Sequence, residues 1–296
     1  MDTLWARRAW KRRIVVPLRV LLKPEVLVEH DREAFIVDLR DTVIARYLYD
    51  GQGYEEGLRR FVRCMDLARS VCVDVGANLG LHTVSLAKRA AEVWAFEPEE
   101  RNHSLLTRNV ALNGLRNVRV FKCAVGDREG SCLLRRSVDN FGDHQVGTSA
   151  SGDPTEVVPM TTIDLATREL PSGSVGLLKI DVQGYEHHVL IGAQETLARN
   201  PDLTLILEVS PTHLSAAGRS ASELVRWLFA QGFVGVELTD DRMVPVSTPW
   251  AYDFMRSGYH VDLVLSRNAR QLGRSLASYW GRPIADLEDG RECPVP

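Results

Sequence analysis

Apolar and polar positions fall into alternating blocks along this chain. Residues 71–75 are apolar except for Asp74 and close on Gly76, and from Leu81 the apolar positions take helical spacing. Val93-Trp-Ala-Phe96 is a second apolar run, ending on Glu97. This order predicts strand, tight turn, helix and strand, the opening of an open parallel sheet. The alternation continues with a helix over 102–112 that Asn113-Gly114 terminates, and a third strand over 118–125. Residues 157–163 read as extended, and Asp164 reads as the cap of a helix over 165–170. Strands at 175–181 and 203–209, helices at 186–197 and 221–230, and a terminal hairpin of 233–238 with 260–265 complete the pattern. The stretch 131–159 is irregular, with Gly, Ser, Thr and Asp concentrated at 147–155, and reads as either a substrate-contacting or a disordered loop.

Ahead of the first core strand, 34–39 and 42–48 read as short β runs and 54–68 as a helix. The glycine-containing link 49–54 between them is a turn or a mobile edge of the active site, with the turn as the default. The organisation expected is a basic segment at 1–24, an N-terminal cap at 25–69, a core at 70–267 and a tail at 268–296. The tail carries a short helical pattern followed by Pro, Gly and charged residues, a composition of weak order. With 296 residues, of which 45% are hydrophobic, there is material for one sizeable α/β unit with extensions. A net charge of -3 argues against a general nucleic-acid binder. Cys64, Cys72, Cys123, Cys132 and Cys293 form no CxxC pair, so neither a disulfide framework nor a zinc site follows, and reduced thiols of a cytoplasmic protein are expected.

The first 23 residues carry Arg7, Arg8, Lys11, Arg12, Arg13, Arg19 and Lys23 against Asp2, with Trp5, Trp10, Ile14 and Leu18 between them. Pro17 and Arg19 interrupt the apolar run that a secretory signal requires, and no membrane-spanning stretch is present. Two readings remain: a basic helix packed on the core, which is the default, and an amphipathic segment lying on anionic lipid.

The carboxylates narrow the ligand. Asp74, two residues before Gly76, is expected at the strand tip, where it would repel a pyrophosphate and attract the ammonium and sulfonium of S-adenosylmethionine. Gly76 is expected to let the backbone approach that donor, and Gly80 to let the helix pack close to the strand. Glu97 is placed to accept hydrogen bonds from the ribose hydroxyls. Asp127 is either an adenine contact or a plain turn aspartate. A dehydrogenase is disfavoured by Asp74 and by the incomplete G-x-G-x-x-G.

Lys179 and Asp181 lie two apart and so share one face of an apolar strand, where a buried charge needs a partner. Glu208 ends the neighbouring run. The three form either a structural ion pair or a methyl-transfer site in which Asp181 or Glu208 accepts the proton of an attacking hydroxyl. His144, in the long loop, is the reserve base. No metal-site spacing appears, although Asp181 and Glu208 at one rim could share a divalent ion.

With these residues in view, the chain resembles the FkbM family of S-adenosylmethionine-dependent methyltransferases. The resemblance rests on Val73-Asp-Val-Gly-Ala-Asn78-Leu-Gly80, Phe96-Glu-Pro98, Asn109, Asn113 and Ala124-Val-Gly-Asp127. It continues through Thr161-Thr-Ile-Asp164, Leu178-Lys-Ile-Asp-Val-Gln-Gly-Tyr-Glu186 and Gly192. It implies a class I methyltransferase, Rossmann-like α/β fold: a mostly parallel seven-stranded sheet, a C-terminal antiparallel hairpin and an N-terminal extension. It implies Asp74, Gly76, Asn78, Gly80, Glu97 and Asp127 as the donor-binding set and O-methylation of a sugar, glycolipid or polyketide-type hydroxyl. The sequence departs from the family at Gln183, where an acid is frequent, which weakens a two-carboxylate metal site. The rivals are an N-methyltransferase of another substrate class, disfavoured for adenine by Asp181-Val-Gln-Gly-Tyr185, and a catalytically silent donor-binding protein.

Overall fold

The computed structural model describes residues 16–147, 154–240, 243–246, 254 and 259–280. A short helix α1 (Val16–Leu22) leads into the hairpin β1 (Glu25–His30) and β2 (Glu33–Asp38), then α2 (Ile44–Tyr49) and α3 (Glu56–Cys64). The rest of the basic segment, residues 1–15, lies outside the described residues. Among the described residues no helix is long and apolar enough to cross a membrane.

The core alternates β3 (Val71–Val75), α4 (Leu81–Ala87), β4 (Glu92–Phe96), α5 (Glu100–Leu112) and β5 (Val118–Phe121). After an excursion it resumes with β10 (Val175–Ile180), α7 (Glu186–Ile191), α8 (Gln194–Arg199), β11 (Thr204–Val209), α9 (Pro211–Ala216) and α10 (Ala221–Ala230). It closes with β12 (Val234–Leu238), β13 (Met243–Pro245), β14 (Val261–Ser266) and α11 (Ala269–Trp280). The main sheet runs β13-β12-β14-β11-β10-β3-β4-β5. Its strands from β11 to β5 are parallel, and β14 enters antiparallel between β11 and β12. The terminal hairpin is therefore as expected, and β13 adds an eighth, edge strand. All of β3 is buried, because helices cover both faces of the parallel strands and separate two apolar clusters. Chain order reverses between β3 and β10, which opens a crevice at their carboxyl ends.

Several local expectations give way to longer-range contacts. The run expected as a strand at 42–48 instead enters the helix α2 (Ile44–Tyr49). Asp41 accepts hydrogen bonds from the Val43 and Ala45 amides, and Ile44, Ala45 and Leu48 are buried at helical spacing. The third strand breaks after Phe121: β5 stays in the main sheet, whereas β6 (Ala124–Val125) joins a second sheet. That sheet orders β6, β9 (Thr155–Thr161), β7 (Gly130–Arg135) and β8 (Gln145–Val146), so the irregular stretch is partly a folded sheet. The helix α6 (Ile163–Thr167) is capped by Thr162, whose hydroxyl accepts from the Leu165 amide. Asp164 instead caps α8, accepting from the Glu195 and Thr196 amides. The expected helix at 186–197 is broken into α7 and α8 at Gly192, where a Cβ would meet the Gly126 carbonyl at 2.0 Å. The weakly ordered tail expected after 268 begins with a 12-residue helix whose Leu272 and Leu276 are buried in the core.

Candidate active site

The crevice at the switch point holds a cleft lined by the β3–α4 turn, the tips of β4, β10 and β11, and residues of the long loop. The β3–α4 turn forms one wall. Gly76, Asn78 and Gly80 all have positive φ, at 79°, 51° and 95°. A Cβ on Gly76 would meet the Asp181 carbonyl at 1.8 Å, so this glycine lets the tips of β3 and β10 come together. Gly80 makes room for Leu106 of α5 rather than for a strand. Asn78 pins the turn: its amide donates to Glu97 at 2.8 Å, and its side chain donates to the Phe141 carbonyl at 3.2 Å.

Glu97 lines the cleft and is buried. Its other oxygen accepts from the Glu99 amide at 3.0 Å. Burial pushes its pKa up to about 8, against the lowering effect of those two amides. Each Glu97 oxygen thus holds one backbone donor and keeps a lone pair for a ligand hydroxyl. Beside it Asn102 donates to the Phe141 carbonyl at 2.8 Å, while its buried Oδ1, in the cleft wall, has no partner. A spare carboxylate acceptor and an orphaned amide oxygen fit the hydroxyls and amino group of an adenosine-bearing donor.

Two expected donor contacts are placed elsewhere. Asp74 is fully buried beneath the cleft floor, accepts a 2.6 Å hydrogen bond from Thr83 and does not line the cleft. It sits in register with Lys179 on the adjacent strand, so its field acts on that ammonium. Asp127 lies outside the cleft lining, held by His188 at 2.8 Å and by Arg128. His188, stacked on Tyr185, also takes a bond from Arg219.

The opposite wall gathers charge. Lys179, buried, donates to Asp181 at 3.0 Å. Gln183 Nε2 donates to Asp181 at 2.8 Å and to Glu208 at 2.6 Å. Burial opposes the Lys179 cation, but Asp181, Asp74 and Glu55 overcome it and hold the pKa above the usual lysine value. Burial likewise opposes the Asp181 anion, yet Lys179 and the hydrogen bonds keep that carboxyl below the usual range. Glu208 is pushed well above it, by burial and then by Asp181, Asp262 and Glu55. Within this pair Asp181 is the group held in its charged form, and Glu208 is the one that holds its proton more strongly than usual.

His144 lines the cleft, but its Nδ1 accepts from the Ser137 amide at 3.1 Å. Burial depresses its pKa, so the ring is neutral with the proton on Nε2. Its Nδ1 lone pair is thereby taken up by the backbone.

Two further side chains line the cleft, and a third acid lies behind Glu208, none of them singled out from sequence. Tyr54 and Glu55 line the cleft from the start of α3, with Glu55 at φ 50° and 2.5 Å from His82. The link at 49–54 thus abuts the site, the alternative that its glycines left open beside a plain turn. Asp262 faces Glu208 across the β11–β14 ladder, and burial raises its pKa well above the usual range. A lone acid inside the apolar run Val261-Asp-Leu-Val-Leu265 was its legible trace.

The methyltransferase FkbM domain model matches residues 74–234, spanning the donor turn and the acid wall. The chain belongs to the FkbM methyltransferase family. Its open, mostly parallel sheet with helices on both faces is Rossmann-like. It is similar to Methyltransferase 1 of Beauveria bassiana (strain ARSEF 2860), 26% identical over 160 residues, which are 45% of this chain and 64% of that protein. Methyltransferase sdnD of Sordaria araneosa is 27% identical over 168 residues, covering 45% and 65%. The match thus spans just under two thirds of the length of these curated relatives. Similar solved structures include an rRNA methylase from Streptococcus thermophilus, 12% identical with a TM-score of 0.43, covering 72% of this chain and 96% of that one. Another is M. jannaschii TYW2 in complex with AdoMet, 14% identical with a TM-score of 0.41, covering 82% and 87%.

Among the described residues, the ligand atoms of His30, Asp31 and Glu56 come close enough together to hold a metal ion, but they lie away from the cleft. Arg59 and Arg63 already pair with Asp31 at 3.2 and 2.8 Å, so this FkbM chain uses the cluster as an ion-pair network.

Proposed function

We propose that this FkbM methyltransferase methylates a hydroxyl of a small molecule or glycolipid, with Asp181 taking the proton. The observation that carries this reading is the acid pair at the cleft, Asp181 bonded to Lys179 and held below the usual carboxylate range beside a Glu208 pushed above it. S-adenosylmethionine supplies a methyl group already activated on a sulfonium. What remains for the protein is alignment and removal of one proton. Glu97 and Asn102 are the groups that would hold the donor's nucleoside end, at the wall where their acceptor capacity is spare. Asp181 accepts the proton as the oxygen of the acceptor forms its bond to carbon. Lys179 keeps Asp181 charged until then, and Glu208 can donate a hydrogen bond to a neighbouring acceptor hydroxyl. A sugar or polyketide hydroxyl, a weak acid among other hydroxyls, suits such a wall of donors and acceptors.

Incubating the enzyme with a cell extract and isotopically methyl-labelled donor, followed by mass spectrometry, identifies the methylated product. Asp181→Asn is expected to reduce its formation by about 10²–10⁴ while binding of S-adenosylhomocysteine survives. Normal turnover in that variant, or a label found on nitrogen, would sink the reading. Glu97→Ala is expected to weaken S-adenosylhomocysteine binding by about 1–3 kcal/mol in calorimetry. Unchanged affinity would remove the ribose role.

A further inference from the structure

Gln183 has a positive φ of 53°, a conformation that residues with a side chain adopt uncommonly, and the following Gly184 has φ 105°. Gly184 is packed against the His213 carbonyl, where a Cβ would approach to 2.5 Å, so the turn after β10 has one path. That path lays the Gln183 side chain between the two acids of the cleft. Its Nε2 carries two hydrogens, and each reaches a different carboxyl, Asp181 Oδ1 at 2.8 Å and Glu208 Oε2 at 2.6 Å. The network sets the amide orientation, because the ionised Asp181 can only accept. An outlying backbone angle that aims a side chain at two functional groups is grounds for assigning it a function.

The point between two neighbouring carboxylates at a cleft rim is also where a divalent cation would bind. Such a cation needs oxygen ligands at short distance and several of them. An amide nitrogen has no lone pair to offer and fills the bridging position with its own hydrogens. We infer that the Gln183 amide takes the place of a bridging cation between Asp181 and Glu208, positioning the pair without metal. This rests on the role given to Asp181 above and adds that proton removal depends on a hydrogen-bonded bridge. Lys179 supplies the positive charge that a cation would otherwise bring to Asp181, at 3.0 Å on the oxygen that Gln183 leaves free. Gln183 is thus a positioning residue, acting through the two acids.

The test is titration of the full chain with Mn²⁺, followed by calorimetry and by the electron paramagnetic resonance of free ion. The wild type is expected to take up no Mn²⁺ that Asp181→Asn abolishes. Gln183→Glu replaces the bridging donor by a third carboxylate and is expected to bind Mn²⁺ at least about tenfold more tightly than the wild type. Wild-type binding as tight as that of Gln183→Glu, and lost in Asp181→Asn, would overturn the inference, as would no gain in a Gln183→Glu protein that melts cooperatively. Should Gln183→Glu not fold, the wild-type titration alone decides against the inference if it shows Asp181-dependent uptake. A purely structural glutamine would leave metal affinity unmoved by its replacement. Normal methyl transfer by Asp181→Asn, in contrast, overturns the proton-acceptor role and leaves the Mn²⁺ result standing.

Discussion

Glu97 is buried with two backbone donors, and its carboxyl holds a proton up to about pH 8, whereas an unshifted glutamate loses it near 4.5. The folded state therefore binds more protons than the unfolded state between these values. The stability this confers is complete below 4.5 and is lost as pH rises to about 8. Thermal melts across that window are expected to fall with pH by at most about 1.4 kcal/mol per unit from this group, and Glu97→Gln should flatten the fall. Glu186, pushed up to about 7 by burial, acts in the same direction and accounts for part of the slope that remains. A profile unchanged by Glu97→Gln would contradict the assignment. Ribose hydroxyls donating to Glu97 favour its charged form, so donor binding should release a proton and tighten as pH rises to about 8. Calorimetry of S-adenosylhomocysteine binding in buffers of different ionisation heat checks this. Glu97 was legible as a carboxylate ending a strand. That Asp74 lies in register with Lys179 could not be read the same way, because Lys179 lies in another segment altogether.

The turn between β3 and α4 carries a contact between elements. The Gly76 amide donates to the Phe96 carbonyl on one side, and its missing side chain admits the Asp181 carbonyl on the other. Gly76→Ala meets backbone at 1.8 Å in a left-handed conformation, so relief requires that two strand tips part. The expected loss is about 3 kcal/mol in denaturant melts, together with loss of S-adenosylhomocysteine binding. Gly80→Ala, facing the flexible end of Leu106, should cost less despite its φ of 95°. Equal costs would mean that backbone conformation, and not the Asp181 approach, sets the penalty. Helix ends were harder to read than helix bodies for a related reason. Asp164 looks like a cap for its own helix, but Thr162 takes that place and Asp164 serves α8, 31 residues on. Residues 42–48 carry β-branched residues that suggest a strand, and two side-chain bonds from Asp41 outweigh that preference.

Across the molecule, Arg59 ties the N-terminal elements to the core. It is fully buried and pairs with Glu33 of β2 at 2.7 Å and with Asp31 at 3.2 Å, while Ser85 of α4 bonds both Arg59 and Glu33. Arg59→Ala leaves Glu33 buried with Lys88 as its remaining cation and is expected to cost about 3–5 kcal/mol by chemical denaturation. A loss below about 1 kcal/mol, the scale of exposed pairs, would mean that solvent reaches the network. Because α3 also delivers Tyr54 and Glu55 to the cleft, this variant should weaken ligand binding as well. The parallel strands, the donor turn, Glu97 and the Lys179–Asp181 pair were all readable from sequence. Each rests on a local rule: an apolar run buried on two faces, a glycine at a tight turn, a polar residue at a strand end, side chains alternating along a strand. The second sheet, the nearness of Glu55 and Asp262 to Glu208, the Ser137 bond to His144 and the two Gln183 hydrogen bonds were decided by tertiary structure alone. Each depends on which distant segments meet, since β7 finds β9 some 25 residues away and Glu208 gains its high pKa from burial and from acids on other segments. Local sequence determines the period and polarity of a segment, whereas the protonation state of a buried group is a property of everything packed around it.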